Sequence, residues 1–310
     1  MLVRAGVLVA SLVVSSVVVF GFLAALPGDP ARIALGVNAT DESVAQLREE
    51  FGLDRPLSTQ YVDWVGGMIS GDPGRSYVSK ALIGPQLTDK IQVTLWLVGA
   101  ATLIAVVIAL PAGTLMAVRH GRASGLLLAG SSQLGVAIPA FLAGILLITL
   151  FAVQLRWLPS GGWTPPIEDP VMFARQLTLP ALSLGLVQGA VLTRYVRSAV
   201  IDVLREDYLR TARAKGLTPG RALWRHGLRN AMVPVVTVLG LQLATLLIGA
   251  VVVERVFVLP GIGNLLLDAV ANRDLLLVQA AVMVLVVAVL IVNFVVDLLY
   301  AVLDPRLRHG

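Results

Sequence analysis

The chain has 310 residues, 57% of them hydrophobic and 14% charged, with 24 basic against 19 acidic residues for a formal net charge of +5. Soluble domains carry about a quarter charged residues, so this composition excludes a soluble globular protein and makes lipid the solvent for most of the chain. The absence of cysteine excludes a disulfide framework and thiolate metal ligation, and His120, His226 and His309 stand too far apart for a local metal motif.

Residues 5–26 form an apolar run of 22 residues, about 33 Å as a helix and long enough to cross a bilayer. The alternative is a cleaved leader with Arg4 as its basic start. The run exceeds the roughly 7 to 15 apolar residues of such leaders, so a retained first transmembrane helix is expected over residues 1–26. Residues 27–90 read as a small helical subdomain outside the membrane. Val44, Leu47 and Phe51 make one helical face, and after Pro56 a second runs through Tyr61, Trp64, Val65 and Met68. Gly71, Asp72, Pro73 and Gly74 supply a closing turn. This subdomain suits a docking surface for an external solute receptor or a structural cap over the bundle.

Five further apolar spans are expected near 91–118, 125–152, 177–197, 231–253 and 278–303. Six spans place both termini on one side. Pro111, Pro139, Pro180 and Pro234 are expected to interrupt helical hydrogen bonding, so these helices need neighbours to satisfy freed carbonyls. Gly185 with Gly189, Ala140 with Gly144 and Gly240 with Ala244 have the spacing that lets helix backbones approach closely. Gln133, Ser183, Gln188, Gln242 and Thr245 are candidates to line a water-accessible path, or else to hydrogen-bond between helices.

Between two spans, residues 201–230 read as helix, sharp turn and helix. Tyr208 to Lys215 is good helix, with Glu206 and Arg210 at i,i+4. Gly216 can supply a left-handed cap, and Thr218 can cap a second helix that has Pro219 at its first position. Along that second helix Arg221, Arg225 and Arg229 form one stripe, with Leu217, Trp224 and Leu228 on another face. Such a helix can rest on anionic headgroups or fill a groove on a cytoplasmic partner.

With the amino terminus inside, the cytoplasmic segments hold fourteen basic and four acidic residues, the outer ones ten basic and fourteen acidic. This is the positive-inside pattern, and it accounts for a pI near 10.0 without nucleic acid.

The stretch EDYLRTARAKGLTPGRALWRHGLRNAMVPVV at 206–236 resembles the EAA motif of ABC importer permeases of the dipeptide, oligopeptide and nickel branch. LPGDPA at 26–31, FGLDRPLSTQY at 51–61, VVVERVFVLPGIGNLL at 251–266 and NFVVDLLYAVLDPR at 293–306 agree. The resemblance extends over nearly the whole chain and is strongest to the first, B-type, permease. It implies an all-α polytopic protein with six transmembrane helices and the type I importer transmembrane domain over 91–304. A cytoplasmic tail follows at 305–310. The resemblance further implies multi-pass residence in the plasma (inner) membrane with both termini cytoplasmic, a second homologous permease, two ATPase subunits or domains, and an extracytoplasmic binding protein. ATP and Mg would sit on the ATPases, with no cofactor, metal or catalytic residue on this chain. Ala212 and Gly216 match the small residues of the motif, and Thr218 to Asn230 match the coupling helix, so Thr218, Arg221, Trp224, Arg225 and Leu228 join them as coupling candidates. The motif here begins Arg-Thr-Ala where the general pattern has Glu-Ala-Ala. The implied cargo is a short peptide, with nickel or another small solute as the alternative.

Lys80, Lys90 and Lys215 are followed by Ala, Ile and Gly, so no P-loop is present and energy must come from a partner or an ion gradient. A proton-coupled secondary transporter is the rival reading, with Asp297 its intramembrane acid and Asn293 one turn before it. Asp297 lies only about two turns from the cytoplasmic end, where pairing with Arg194 or Arg306 would need no proton cycle. A membrane scaffold would leave the EAA-like loop without a purpose.

The charge partition predicts that a cysteine introduced at Ser43 reacts with an impermeant thiol reagent in intact cells while one at Ser198 does not. The opposite labelling pattern would invert the topology.

Overall fold

The computed structural model describes residues 2–25, 28–36, 39–120, 130, 132, 133, 135 and 137–303. It is nearly all helical, and among the described residues the only β feature is an isolated bridge between Arg75 and Leu82. The helices in chain order are α1 (Leu2–Ala24), α2 (Pro30–Leu35), α3 (Asp41–Glu50), α4 (Leu57–Ser70) and α5 (Ile83–Val118). Then come α6 (Ala140–Leu147), α7 (Pro170–Leu204), α8 (Asp207–Ala214), α9 (Pro219–Ala222), α10 (Leu228–Val256), α11 (Ile262–Ala271) and α12 (Leu275–Leu303). π-helical turns at Ile148–Gln154 and Leu223–Gly227 continue α6 and join α9 to α10.

Among the described residues five helices are long and apolar enough to cross a membrane: Arg4–Phe22, Ile83–Val118, Pro170–Leu204, Pro219–Val256 and Leu275–Val296. Of the expected span at 125–152, the structure describes the shorter apolar helix Ala140–Gln154 and isolated positions before it. The expected tail at 305–310 and the Asp297 side chain lie outside the described residues.

Contacts divide the chain into two compact units, Met1–Thr94 with Pro260–Ile291 and Leu95–Leu259 with Val292–Gly310. In the first, the predicted faces of α3 and α4 turn inward: Val44 and Trp64 are buried, and Leu47, Phe51, Tyr61, Val65 and Met68 are half-buried. Thr40 and Ser43 close a reciprocal capping box at the start of α3, satisfying donors that a helix start leaves unpaired. The α4 helix is fastened to α1 by a 2.8 Å hydrogen bond between Ser16 and Tyr61 and by Phe20 packing on Tyr61 and Trp64. The turn foreseen at 71–74 has Gly71 at φ +80 and Gly74 at φ +94. A Cβ on Gly67 would fall 2.6 Å from the Asp72 carbonyl and one on Gly84 2.8 Å from the Gly71 carbonyl, so both glycines are required by the passing backbone. Asp274, almost fully buried, accepts from the Ser76 hydroxyl, from the Tyr77 N–H at 3.2 Å and from the Leu277 N–H at 3.5 Å. One carboxylate thus caps α12 and holds the 76–80 loop, contacts that join residues almost 200 positions apart.

The second unit is built on a seam of small residues. Ala101, Ala105, Ala109 and Gly113 recur every four residues along α5 and face Gly185, Gly189 and Val196 of α7. A Cβ on Gly185 would lie 2.8 Å from Ile104 Cβ and 2.9 Å from the Ala101 carbonyl, and one on Gly113 2.6 Å from Val196 Cβ. The expected Gly185 and Gly189 pair is therefore a site of close backbone approach. Gly144 meets the Phe257 ring and Gly240 meets Val296, the same device at two further crossings. Pro111, Pro180 and Pro234 lie inside α5, α7 and α10 as expected. Pro139 also breaks helix as expected: the described residues are helical at Ala137 and again from Ala140, and Pro139 between them is the N-cap of α6 with φ −62 and ψ 144. Asp169 starts α7 by accepting from the Val171 and Met172 N–H groups at 3.0 and 2.9 Å.

Gly185→Ala tests the seam, because the added Cβ meets backbone that cannot turn aside. It should lower stability by about 1–3 kcal/mol, while Gly99→Ala, with nothing within 4 Å of the new Cβ, should be neutral or stabilising. Thermal unfolding of the purified chain checks this; equal melting temperatures for the two variants would refute close approach at Gly185.

Candidate coupling loop and membrane path

The α7 helix ends at Leu204 and the chain re-enters helix at Asp207, leaving Glu206 extended at φ −68 and ψ 141 as the N-cap of α8. That conformation removes Glu206 from the lateral surface of the helix. The expected partner of Arg210 is therefore replaced by Asp207, paired at 3.2 Å and i,i+3. At the other end of α8, Leu217 N–H donates to the Ala212 carbonyl at 3.2 Å and Gly216 N–H to the Arg213 carbonyl at 2.9 Å. This pair of bonds is the Schellman closure, and Gly216 occupies its left-handed position at φ +93. A Cβ at Gly216 would meet nothing within 4 Å, so the glycine is required by backbone conformation rather than by space.

Thr218 then caps α9, its hydroxyl accepting from Arg221 N–H at 3.4 Å, and Pro219 takes the first helical position, as expected. Beyond that point the structure departs from the expected separate amphipathic helix. The helix runs from Pro219 to Val256 without interruption, passing through the π-helical turn at 223–227. Bonding from Leu228 N–H to the Leu223 carbonyl widens the turn and changes which side chains share a face. Leu223 and Gly227 are buried, and a Cβ on Gly227 would press on Leu223, Val203 and Leu209. Trp224 is 79% exposed beside Arg221 and Arg225, not aligned with half-buried Leu228, so the expected apolar face is corrected on this point. With Leu217 and Gly220 these three form the walls of a shallow surface recess. A hydrogen bond from Asn230 Nδ2 to the Tyr208 hydroxyl at 3.1 Å ties α8 to the start of α10.

The five path candidates are not gathered in one place. Gln133 and Thr245 are exposed, Gln188 is half-buried, and Ser183 is fully buried with its hydroxyl donated to the Pro180 carbonyl at 2.8 Å. Gln242 is buried with neither amide atom hydrogen-bonded, a costly state inside a bundle. Thr245 belongs to an exposed stripe of α10 formed by Pro234, Thr237, Leu241, Thr245, Ile248 and Val252. Sequence reasoning missed Thr237, although its place two turns before Thr245 signals the same face. Among the described residues no group of His, Asp and Glu is arranged to hold a metal.

Two family models match: the N-terminal part of the binding-protein-dependent transport system membrane component over residues 1–100, and the inner membrane component of such systems over residues 109–309. The glutathione transport system permease protein GsiC of Escherichia coli (strain K12) is 40% identical over 305 residues, covering 97% of this chain and 96% of the relative. Its counterpart from Shigella flexneri serotype 5b is 39% identical over the same length. Among solved structures, an inward-facing MetNI methionine ABC transporter superposes with TM-score 0.58 at 18% identity, covering 70% of this chain and 96% of the other. An amino acid ABC transporter crystallised with histidines gives TM-score 0.54 at 15% identity, with coverage of 70% and 93%. Fold and sequence agree: this chain belongs to the binding-protein-dependent transport system inner membrane component family and is a membrane permease subunit of an ABC importer.

Proposed function

We propose that this permease carries short peptides into the cell as one of two similar membrane subunits. An external binding protein delivers the solute, and two ATPase subunits or domains, which hold ATP and Mg, drive its passage. The observation that carries the peptide assignment is the 40% identity, over nearly the full chain, to a permease whose named cargo is glutathione, itself a small peptide. The termini and the 206–236 loop face the cytoplasm in this reading, and the 27–90 subdomain faces outward, in keeping with the charge partition.

Coupling runs through α8, the Gly216 turn and α9. Trp224 offers an ATPase cleft a large apolar anchor, exposed and flanked by the Arg221 and Arg225 guanidiniums. Aromatic anchors seated in desolvated pockets dominate interface energies. Ala212 supplies the carbonyl that closes the Schellman turn, Thr218 sets the start of α9, and Leu228 packs the π-helical turn against the bundle. Because helix continues from α9 through α10, movement of the loop reaches the membrane span without a flexible joint. Along that span Gln242 and Thr245 supply an amide and a hydroxyl for a peptide backbone, while Gln188 on α7 and Gln133 stand apart from them. Ser183 contributes by packing.

Trp224→Ala should weaken ATPase association by about 2 kcal/mol or more, about thirtyfold in affinity, and lower binding-protein-stimulated hydrolysis accordingly. Gly216→Val should act through the backbone, by about 1–2 kcal/mol, with membrane insertion intact in both variants. Assembly and stimulated hydrolysis are read in the reconstituted complex, together with uptake of a dipeptide and of glutathione. Wild-type coupling in both variants would remove the loop assignment. Rapid uptake of a nickel complex with no uptake of either peptide would remove the cargo assignment.

A further inference from the structure

We propose that the first unit carries its own binding site for a zwitterionic solute of amino-acid or dipeptide size, in the cavity enclosed by α3, α4 and the adjoining ends of α1 and α12. The cavity measures about 460 Å³, within the roughly 300–1,000 Å³ typical of small-molecule sites. Its wall includes the amide-bearing Gln279, nine-tenths buried at the second turn of α12. Half-buried Tyr77 also lines it, and the buried Trp64 indole N–H has no acceptor. Burial and the neighbouring Asp274 carboxylate push the Tyr77 phenol up despite the opposing pull of Arg55, so this hydroxyl stays protonated and able to donate at neutral pH. An indole N–H left unpaired in a buried wall is costly unless a ligand or water meets it.

The charges around the cavity select the ligand class. Arg48 and Arg55 stand among Asp29, Asp63 and Asp72, so both signs border one space. Arg48 is held by Asp29 at 3.1 Å and Asp54 at 2.9 Å, and Arg55 by Asp63 at 2.6 Å. An anion entering alone would meet three carboxylates, and a compact cation would meet two guanidiniums. A dipolar solute places its carboxylate toward the arginines and its ammonium toward the aspartates, while Gln279 can pair with a carboxylate or a peptide bond through donor and acceptor together. Phe20, Leu275 and Leu276 leave an apolar floor for a small aliphatic side chain.

This site goes beyond the import reading, since its occupancy is measured on the chain without ATPase or binding protein and each reading can fail alone. The full-length chain in nanodiscs of anionic lipid is titrated with alanylalanine, and with the same dipeptide acetylated and amidated to remove both charges. Saturable binding of the free dipeptide is expected, about tenfold weaker in Gln279→Leu, severalfold weaker in Tyr77→Phe and about tenfold weaker for the capped peptide. No saturation below about 1 mM, equal affinity of the capped peptide, or unchanged affinity in both variants would each overturn the site. Loss of dipeptide binding on exchange into zwitterionic lipid would show a headgroup as the occupant, and would overturn it too.

Discussion

In hydrocarbon a peptide group without a partner costs several kcal/mol, so the chain must satisfy its backbone internally and leave helix surfaces as its only means of cohesion. Apolar side chains gain little from leaving lipid for one another, and van der Waals contact between close backbones takes over. The every-fourth-residue ladder Ala101, Ala105, Ala109 and Gly113 against Gly185 and Gly189 meets that constraint. Gly144 beneath Phe257 and Gly240 beneath Val296 repeat it at other crossings. Where the helices carry hydroxyls, most are spent locally: Thr102, Thr149, Thr178 and Thr193 each donate to the carbonyl four residues back. Gln242 escapes that economy, its buried amide hydrogen-bonded at neither atom.

The same reasoning gives the coupling loop its shape. An abrupt reversal outside the membrane needs a residue tolerant of positive φ and a cap for the next helix start. Gly216 at φ +93, Thr218 and Pro219 supply these within four positions. The π-helical turn that follows is the decisive local feature. By burying Leu223 and Gly227 it leaves Trp224 nowhere to go but outward. A tryptophan so exposed among guanidiniums costs solvation, and a partner surface is what offsets that cost in the proposed complex.

Much of this was readable from the chain because the signals are local. Small-residue spacing announced the Gly185 and Gly189 crossing, helical periodicity announced the inward faces of α3 and α4, and Gly-x-Thr-Pro announced the loop. What escaped depends on contacts distant in sequence or on tertiary override. The π-helical turn at 223–227 arises where Gly227 packs on Val203 and Leu209, which no periodicity reports. Arg210 pairs with Asp207 only because Glu206 leaves the helix. The Ser76, Tyr77 and Asp274 clasp and the cavity wall of Tyr77 and Gln279 join segments about 200 residues apart, beyond any motif. Among the path candidates the residue types were visible but their burial was not, and Ser183 shows the difference.

The central claim is that the exposed Trp224 face of the 206–236 loop meets the ATPase. Since the chain has no cysteine, Trp224→Cys gives a single attachment point for a short photo-crosslinker in the assembled transporter. The account predicts a covalent adduct with the ATPase whose yield changes when nucleotide closes the ATPase pair. Crosslinks to lipid alone, with the complex demonstrably assembled, would contradict it.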